Sequence, residues 1–310
     1  MDAIAVILDA PERLDLRSLA LNPLQDGDIV VEIAWSGIST GTERLLWSGR
    51  MPDFPGMGYP LVPGYESVGR VVDAAADVRG RIGEWVFVPG ANCYQDARGL
   101  FGGTASRVVM PGARALAIPE SLGVSGVLMA LAATAFHAID GHAAPDLIIG
   151  HGVLGRLLAR VAIAKGASVL MVWETSAART AGAEGYAVIH PDADDRRDYR
   201  AIYDASGDAS LIDSLIGRLA RGGEIVLAGF YEAPIQFAFP SAFMREARLR
   251  IAAEFTPADL TATIALVASG ALSLDGLVTD VRPAAEAADA YPHAFSNPEC
   301  LKMALDWSAV

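Results

Sequence analysis

Hydrophobic positions change their rhythm along the chain. Up to about residue 115 they come in short β-branched runs: Ala3–Leu8, Ile29–Trp35, Ser67–Val72, Trp85–Val88 and Ser106–Met110. Turn signals such as Gln25-Asp26-Gly27-Asp28 separate the runs, so this part is expected to be β-structure. Between Gly49 and Gly64 lies a loop dense in Pro, Gly, Met and aromatic residues. A loop that long inside a compact domain usually carries function.

From about Leu122 strands and helices alternate. Leu147-Ile148-Ile149 reads as a short buried strand, and Leu154, Leu157, Leu158 and Val161 follow at the i, i+3, i+4, i+7 spacing of a helix. Val169–Trp173, Ala187–Ile189, Ala201–Asp204, Ile225–Ala228 and Leu249–Ala253 read as further strands, with helical stretches between most of them. This alternation predicts an α/β fold: a doubly wound parallel sheet with helices on both faces. Two helical stretches, Asp259–Ser269 and Ala284–Ala294, precede a closing run, Leu301–Trp307.

Length and composition narrow the class. The 310 residues are enough for about two domains, and 52% hydrophobic with 20% charged residues excludes general disorder. Lys+Arg is 24 against 37 for Asp+Glu, a net charge of −13 with no compensating basic block, which argues against nucleic acid as a partner. The two cysteines, Cys93 and Cys300, make no disulfide framework, and the reducing cytoplasm is the expected setting. Asp2 stands where a signal peptide would need base. The longest apolar run, Val124–Ile139, contains His137 and falls short of the ~20 residues a bilayer span needs, so no transmembrane segment is expected. A mean hydropathy of +0.33 leaves room for an apolar surface patch.

The clearest chemistry follows the strand at Leu147–Ile149. Gly150-His151-Gly152-Val153-Leu154-Gly155 is G-x-G-x-x-G between a strand and a helix. Gly150 permits the tight turn, Gly152 lets the backbone approach a pyrophosphate, and Gly155 lets the helix lie close. The N–H groups at the helix start, around Val153 and Leu154, face the phosphates. Glu174 ends the next strand, 19 residues past Gly155, where a carboxylate accepts from a ribose 2′-OH. The expected cofactor is NAD rather than NADP, because a carboxylate repels a 2′-phosphate. Arg179, five residues on, is either a cofactor contact or a solvated helix residue. His151 is expected to face outward without a role. Ser206 and Gly229 follow later strands on the side where a nicotinamide would lie.

Four segments resemble the medium-chain dehydrogenase/reductase superfamily: Gly37–Glu43, Pro63–Val71, Leu219–Gly229 and Cys300–Asp306. The resemblance covers essentially the whole chain. It implies a GroES-like catalytic domain at 1–120, a Rossmann domain at 121–258, and a segment at 259–310 that returns to the first domain. Trp35–Pro52 and Pro55–Glu66 resemble, more narrowly, the branch of that family acting on bacteriochlorophyllide-type tetrapyrroles. That implies oxidation of a secondary alcohol, a hydroxyethyl side chain, to an acetyl group in bacteriochlorophyll biosynthesis. A homodimer is left open.

The metal positions of the zinc members correspond here to Ser39, Tyr65 and about Ala130. Zinc takes thiolate, imidazole or carboxylate, so no metal is expected. The alcohol proton then falls to side chains within hydrogen-bond reach, with Tyr65, Glu66, Ser39 and Thr40 as candidates. Tyrosine, with an ordinary pKa near 10, needs a nearby positive charge to act as base. Thr134 resembles the family threonine that packs on the nicotinamide. In the loop at 44–63, Trp47, Arg50, Phe54 and Tyr59 suit a large flat substrate, with Arg50 placed to grip a carboxylate. The same loop could instead pack on its own domain. Two other readings stay open: a zinc-independent quinone or enone reductase, and a nucleotide-binding protein without catalysis.

Overall fold

The computed structural model describes residues 1–53, 55–168 and 170–310. Phe54, a candidate substrate contact, and Val169, the expected start of a strand, lie outside the described residues. The chain forms two compact units, Met1–Ala130 with Asp275–Val310, and Leu131–Leu274. The sequence placed the breaks after residues 120 and 258; the units part after Ala130 and Leu274. Helix Pro257–Ala268 stays with the second unit because Asp259 Oδ2 meets His137 Nδ1 at 2.8 Å. Just beyond that helix, the Ser273 carbonyl accepts from Arg160 at 3.0 Å.

The first unit is built on one long strand, Asp28–Ile38, buried on both faces over Ile29, Val30 and Val31. Strands Ser67–Ala74, Arg107–Pro111 and Met303–Asp306 pair with it antiparallel. The C-terminal strand lies with Met303 opposite Ile38 and Asp306 opposite Trp35. This brings Lys302 beside the end of the central strand. Its ammonium donates to Glu66 Oε2 at 2.6 Å and to the Ile38 carbonyl at 3.2 Å. Both side chains are buried, 2% and 0% exposed. A second fastening joins Trp307 Nε1 to Ser36 Oγ at 2.9 Å.

The second unit carries the parallel sheet in the order Ala187–Ile189, Met171–Trp173, Leu147–Ile149, Tyr199–Asp204, Leu219–Leu227, Arg248–Ile251 among the described residues. The order reverses between Leu147–Ile149 and Tyr199–Asp204, which opens a crevice at their carboxyl ends. Helix Val153–Ala164 buries Leu157, Leu158 and Val161, as its spacing requires. Strand Leu219–Leu227 starts six residues before the expected Ile225. A register shift lets the turn-like Gly222-Gly223 stay inside it, Tyr199 pairing with Leu219 and Ala201 with Glu224.

Helices do not fill every connection. Between Trp173 and Ala187 there is only the short 3₁₀ turn Ala177–Arg179, because Gly182 and Gly185 both take positive φ, +81° and +80°. The expectation about apolar length also needs correction. The 3₁₀ segment Glu120–Leu128, broken at Gly123, and helix Met129–Ile139 together make 20 residues long and apolar enough, by length and composition, to cross a membrane; 61% of the most apolar window is buried inside the protein.

Lys302→Met should leave the Glu66 carboxylate buried without a counter-charge and cost about 3–5 kcal/mol in urea unfolding. Lys302→Met with Glu66→Leu should recover most of that loss, because a buried ion pair and an apolar pair of similar volume are often equivalent. A double variant no more stable than the single one would refute the pairing.

Candidate active site

In the second unit the glycine turn fits a dinucleotide. Gly150 takes φ +91°. A Cβ on Gly155 would lie 1.9 Å from the Gly150 carbonyl oxygen, so only glycine lets the helix start this close to the turn. A Cβ on Gly152 would meet nothing nearer than Arg179 Nη1 at 3.9 Å, which leaves an open cradle beside a cation. No side chain caps the helix that begins at Val153 and Leu154, so its first N–H groups are available to an anion. Glu174 is buried at the strand end, where Oε2 accepts from His151 N at 2.9 Å and Oε1 from Ser176 N at 2.8 Å. Each oxygen keeps a second lone pair for a ribose hydroxyl. When bound, the cofactor would be held by the glycine turn, the helix start and Glu174.

Later strand ends converge on the same edge. Ser206 donates through N and Oγ to Asp204 Oδ1, at 2.8 and 2.6 Å, and a Cβ on Gly150 would lie 3.7 Å from the Ser206 Cα. Gly229 N donates to the Asp204 carbonyl at 2.9 Å. Tyr231 donates to Asp204 Oδ2 at 2.7 Å, which completes the carboxylate's contacts. Thr134 lies partly buried on helix Met129–Ile139. His151 contradicts its expectation. It is 0% exposed and its ring bonds at both nitrogens, to the Arg179 carbonyl at 2.6 Å and the Tyr186 hydroxyl at 2.8 Å.

The first unit holds a separate polar cluster. Ser39 Oγ and Tyr65 Oη lie 2.5 Å apart. Thr42, not Thr40, supplies the further hydroxyl, 3.4 Å from Tyr65 Oη. Thr40 sits partly buried in the turn after the central strand. Burial pushes the Tyr65 phenol upward, and the nearby carboxylates of Glu66 and Glu43 push it further. Tyr65 is therefore a protonated donor rather than the resting base that the sequence allowed. Glu66 is not an open base either, since it is committed to Lys302. Burial raises its carboxyl against the pull of that ammonium, and its Oε1 has no hydrogen-bond partner among the described residues.

Sequence reasoning missed Glu43 and Lys302. Glu43 is fully buried; Oε1 accepts from Ser39 N at 3.1 Å and Oε2 from the Tyr291 hydroxyl at 2.7 Å. Burial pushes its carboxyl up to about 7. The available signals were a carboxylate on the apolar face of Thr42–Ser48, and one of only two lysines inside an apolar terminal run.

Ser39, Tyr65 and the buried Ala130 do not make a zinc site: two hydroxyls and a methyl group lack the required donors. No group of three or more His, Cys, Asp or Glu among the described residues is arranged to hold a metal ion. The substrate loop is partly spent on its own unit. Trp47 packs on Phe295 with ring centroids 5.7 Å apart, Tyr59 donates to the Leu46 carbonyl, and both join the cluster of Leu8, Leu46, Leu61 and Leu100. Arg50 is exposed and donates to Ser48 Oγ at 3.1 Å.

Residues 25–120 match the alcohol dehydrogenase GroES-like domain. The chain is 61% identical over 316 residues to 2-desacetyl-2-hydroxyethyl bacteriochlorophyllide A dehydrogenase of Cereibacter sphaeroides, covering 100% of this chain and 99% of that one. It is 59% identical to the protein of the same description from Rhodobacter capsulatus, covering 99% of each. Among solved structures, an alcohol dehydrogenase from Escherichia coli in complex with NADH superposes with a TM-score of 0.84 at 18% identity over 99% of both chains.

Glu43 makes a pH prediction. Its folded carboxyl titrates near 7 against an ordinary value of 4.5. Between those values the folded chain holds a proton that the unfolded chain releases, so stability falls as pH rises through the window. Glu43→Gln removes that titration. Denaturant unfolding across the window should show a pH slope in the unmodified protein that the variant lacks, worth at most about 3 kcal/mol. Parallel profiles would contradict the assignment.

Proposed function

We infer the reaction from what the chain is: it belongs to the medium-chain dehydrogenase/reductase superfamily, in the family of the two bacteriochlorophyllide dehydrogenases it matches. It is an oxidoreductase acting on a CH–OH group. The proposed substrate is a bacteriochlorophyllide whose hydroxyethyl side chain becomes acetyl, and the proposed cofactor is NAD. The proposed setting is the cytoplasm, and the enone-reductase and non-catalytic readings have no support from those relatives. A homodimer belongs to the proposal, and the exposed Phe239, Phe243 and Met244 of helix Phe239–Arg245, with Ile251 of the edge strand, form the face we assign to a second copy.

The observation that carries the mechanism is the Ser39–Tyr65 hydroxyl pair at the positions that correspond to metal ligands. When bound, the cofactor supplies the hydride acceptor. The chain must handle the proton that leaves the alcohol oxygen. Two hydroxyls 2.5 Å apart can take up the alcohol proton at one oxygen while releasing another, by way of the partly buried Thr42 hydroxyl 3.4 Å from Tyr65 Oη, to solvent water, so the proton ends on water and neither hydroxyl rests as an anion. Tyr65, held protonated by burial, orients the substrate oxygen, and Ser39 relays. The buried Lys302 keeps a fixed positive charge in the same unit, paired with Glu66. Glu174 supports the choice of NAD, since both its oxygens are aimed by backbone donors and a 2′-phosphate would meet a carboxylate.

The test is a spectral assay with the hydroxyethyl bacteriochlorophyllide and each nicotinamide cofactor, because a conjugated acetyl product shifts the absorption band. NAD should support turnover better than NADP, and Glu174→Ser should narrow the gap. Tyr65→Phe should lower kcat by roughly a hundredfold to ten-thousandfold. Absence of turnover with NAD, or an unaffected Tyr65→Phe variant, would overturn the reading.

A further inference from the structure

We propose that Arg179 binds the cofactor's pyrophosphate, and that His151, Arg156 and Tyr186 hold it in place from a turn that stands where a doubly wound fold ordinarily has a helix. The proposal rests on the dinucleotide reading above and assigns a residue whose role the sequence left undecided.

The turn is anchored from the glycine motif itself. Arg156 follows Gly155 directly and is 6% exposed. Its Nε donates to the His151 carbonyl at 3.0 Å, and Nη2 to the carbonyls of Arg179 and Ala181 at 3.0 and 2.8 Å. Its Nη1 reaches the Gly182 carbonyl at 3.3 Å. One planar guanidinium thus ties four carbonyls of two loops together, which the point charge of a lysine cannot do. Gly182 suits the contact, since it takes φ +81° and a Cβ there would push Arg156 Nη1, 2.5 Å away, off its carbonyls.

His151 supplies the second anchor. The Arg179 carbonyl can only accept, so His151 Nδ1 is the donor, and in the neutral ring Nε2 accepts from the Tyr186 hydroxyl. Burial lowers the His151 pKa, which favours that neutral ring. The Tyr186 ring meets the imidazole edge-on at 5.5 Å. The Arg179 backbone is therefore gripped twice, by His151 and by Arg156.

This grip fixes the Arg179 backbone from which the guanidinium reaches the glycine motif. Nη1 comes to 3.9 Å from the position a Cβ on Gly152 would take. Gly152 is the second glycine of the motif, where the backbone comes closest to a pyrophosphate. A guanidinium there faces an anion shared by NAD and NADP, and its fork suits phosphate oxygens. A 2′-phosphate would lie instead beside Glu174, whose carboxylate repels it. Arg179 thus contributes affinity for both cofactors, and Glu174 the discrimination between them.

The test is equilibrium binding of NAD, NADP and 5′-ADP to the full-length protein, followed calorimetrically. Arg179→Ala should weaken all three by a similar factor, roughly tenfold to a hundredfold, as loss of a charge-assisted contact requires. It should also flatten the salt dependence of NAD binding, which a merely structural role would not change, and Arg179→Lys should restore part of both. Arg156→Lys and Tyr186→Phe should weaken binding in the native background and add little once Arg179 is alanine. Loss confined to NADP, or no loss, would overturn the pyrophosphate assignment; additive effects would overturn the positioning roles. If the unmodified protein binds none of the three ligands, the dinucleotide reading itself fails.

Discussion

A buried ion pair, Lys302 with Glu66, is the contact on which the first unit depends. Neither charge could sit in that interior alone, and each is made tolerable by the other at 2.6 Å. The pair also carries topology, because it joins the C-terminal strand to the segment that follows Leu61–Val62 and to the end of the central strand at Ile38. Tyr291 repeats the pattern nearby by donating to the buried Glu43. Residues from the returning segment thus hold two carboxylates in place. Glu43 in turn accepts from Ser39 N and donates its own backbone N–H to the Ser39 carbonyl at 3.0 Å, which fixes the turn that presents the Ser39 hydroxyl.

That arrangement is the basis of the proposal that a site without metal-binding donors serves alcohol oxidation. A metal would contribute positive charge and acidify the alcohol oxygen. In the proposed mechanism the positive charge is an ammonium locked to a carboxylate, and the acid–base work falls to hydroxyls. Burial of the cluster also raises the Tyr65 phenol, which suits the donor role proposed for it. In the second unit the logic is similar. Arg156 and His151 are buried polar side chains whose hydrogen bonds shape a loop where local helix propensity fails.

What could be read from the sequence followed from local rules. β-Branched runs gave strands such as Trp85–Val88, Leu147–Ile149 and Ala187–Ile189 at their observed limits. The glycine motif and Glu174 were legible because their spacing along one chain segment is itself the signal. The pairs that shape the first site were not, since Lys302 and Glu66 are 236 residues apart and Tyr291 and Glu43 are 248 apart. Only the fold brings them together. His151 was misjudged because the rule for a glycine turn says nothing about a side chain that finds partners in the next loop. The substrate loop was legible as a loop, but its aromatic residues are divided between open surface and their own unit, and sequence does not show that division.

The central claim is that protein side chains, with no metal ion, carry the alcohol chemistry. The direct measurement is metal content and turnover on the same sample, before and after prolonged chelation. The account predicts well under one zinc per chain and turnover that survives the chelator. One tightly held zinc per chain, lost together with activity and restored with it, would contradict it.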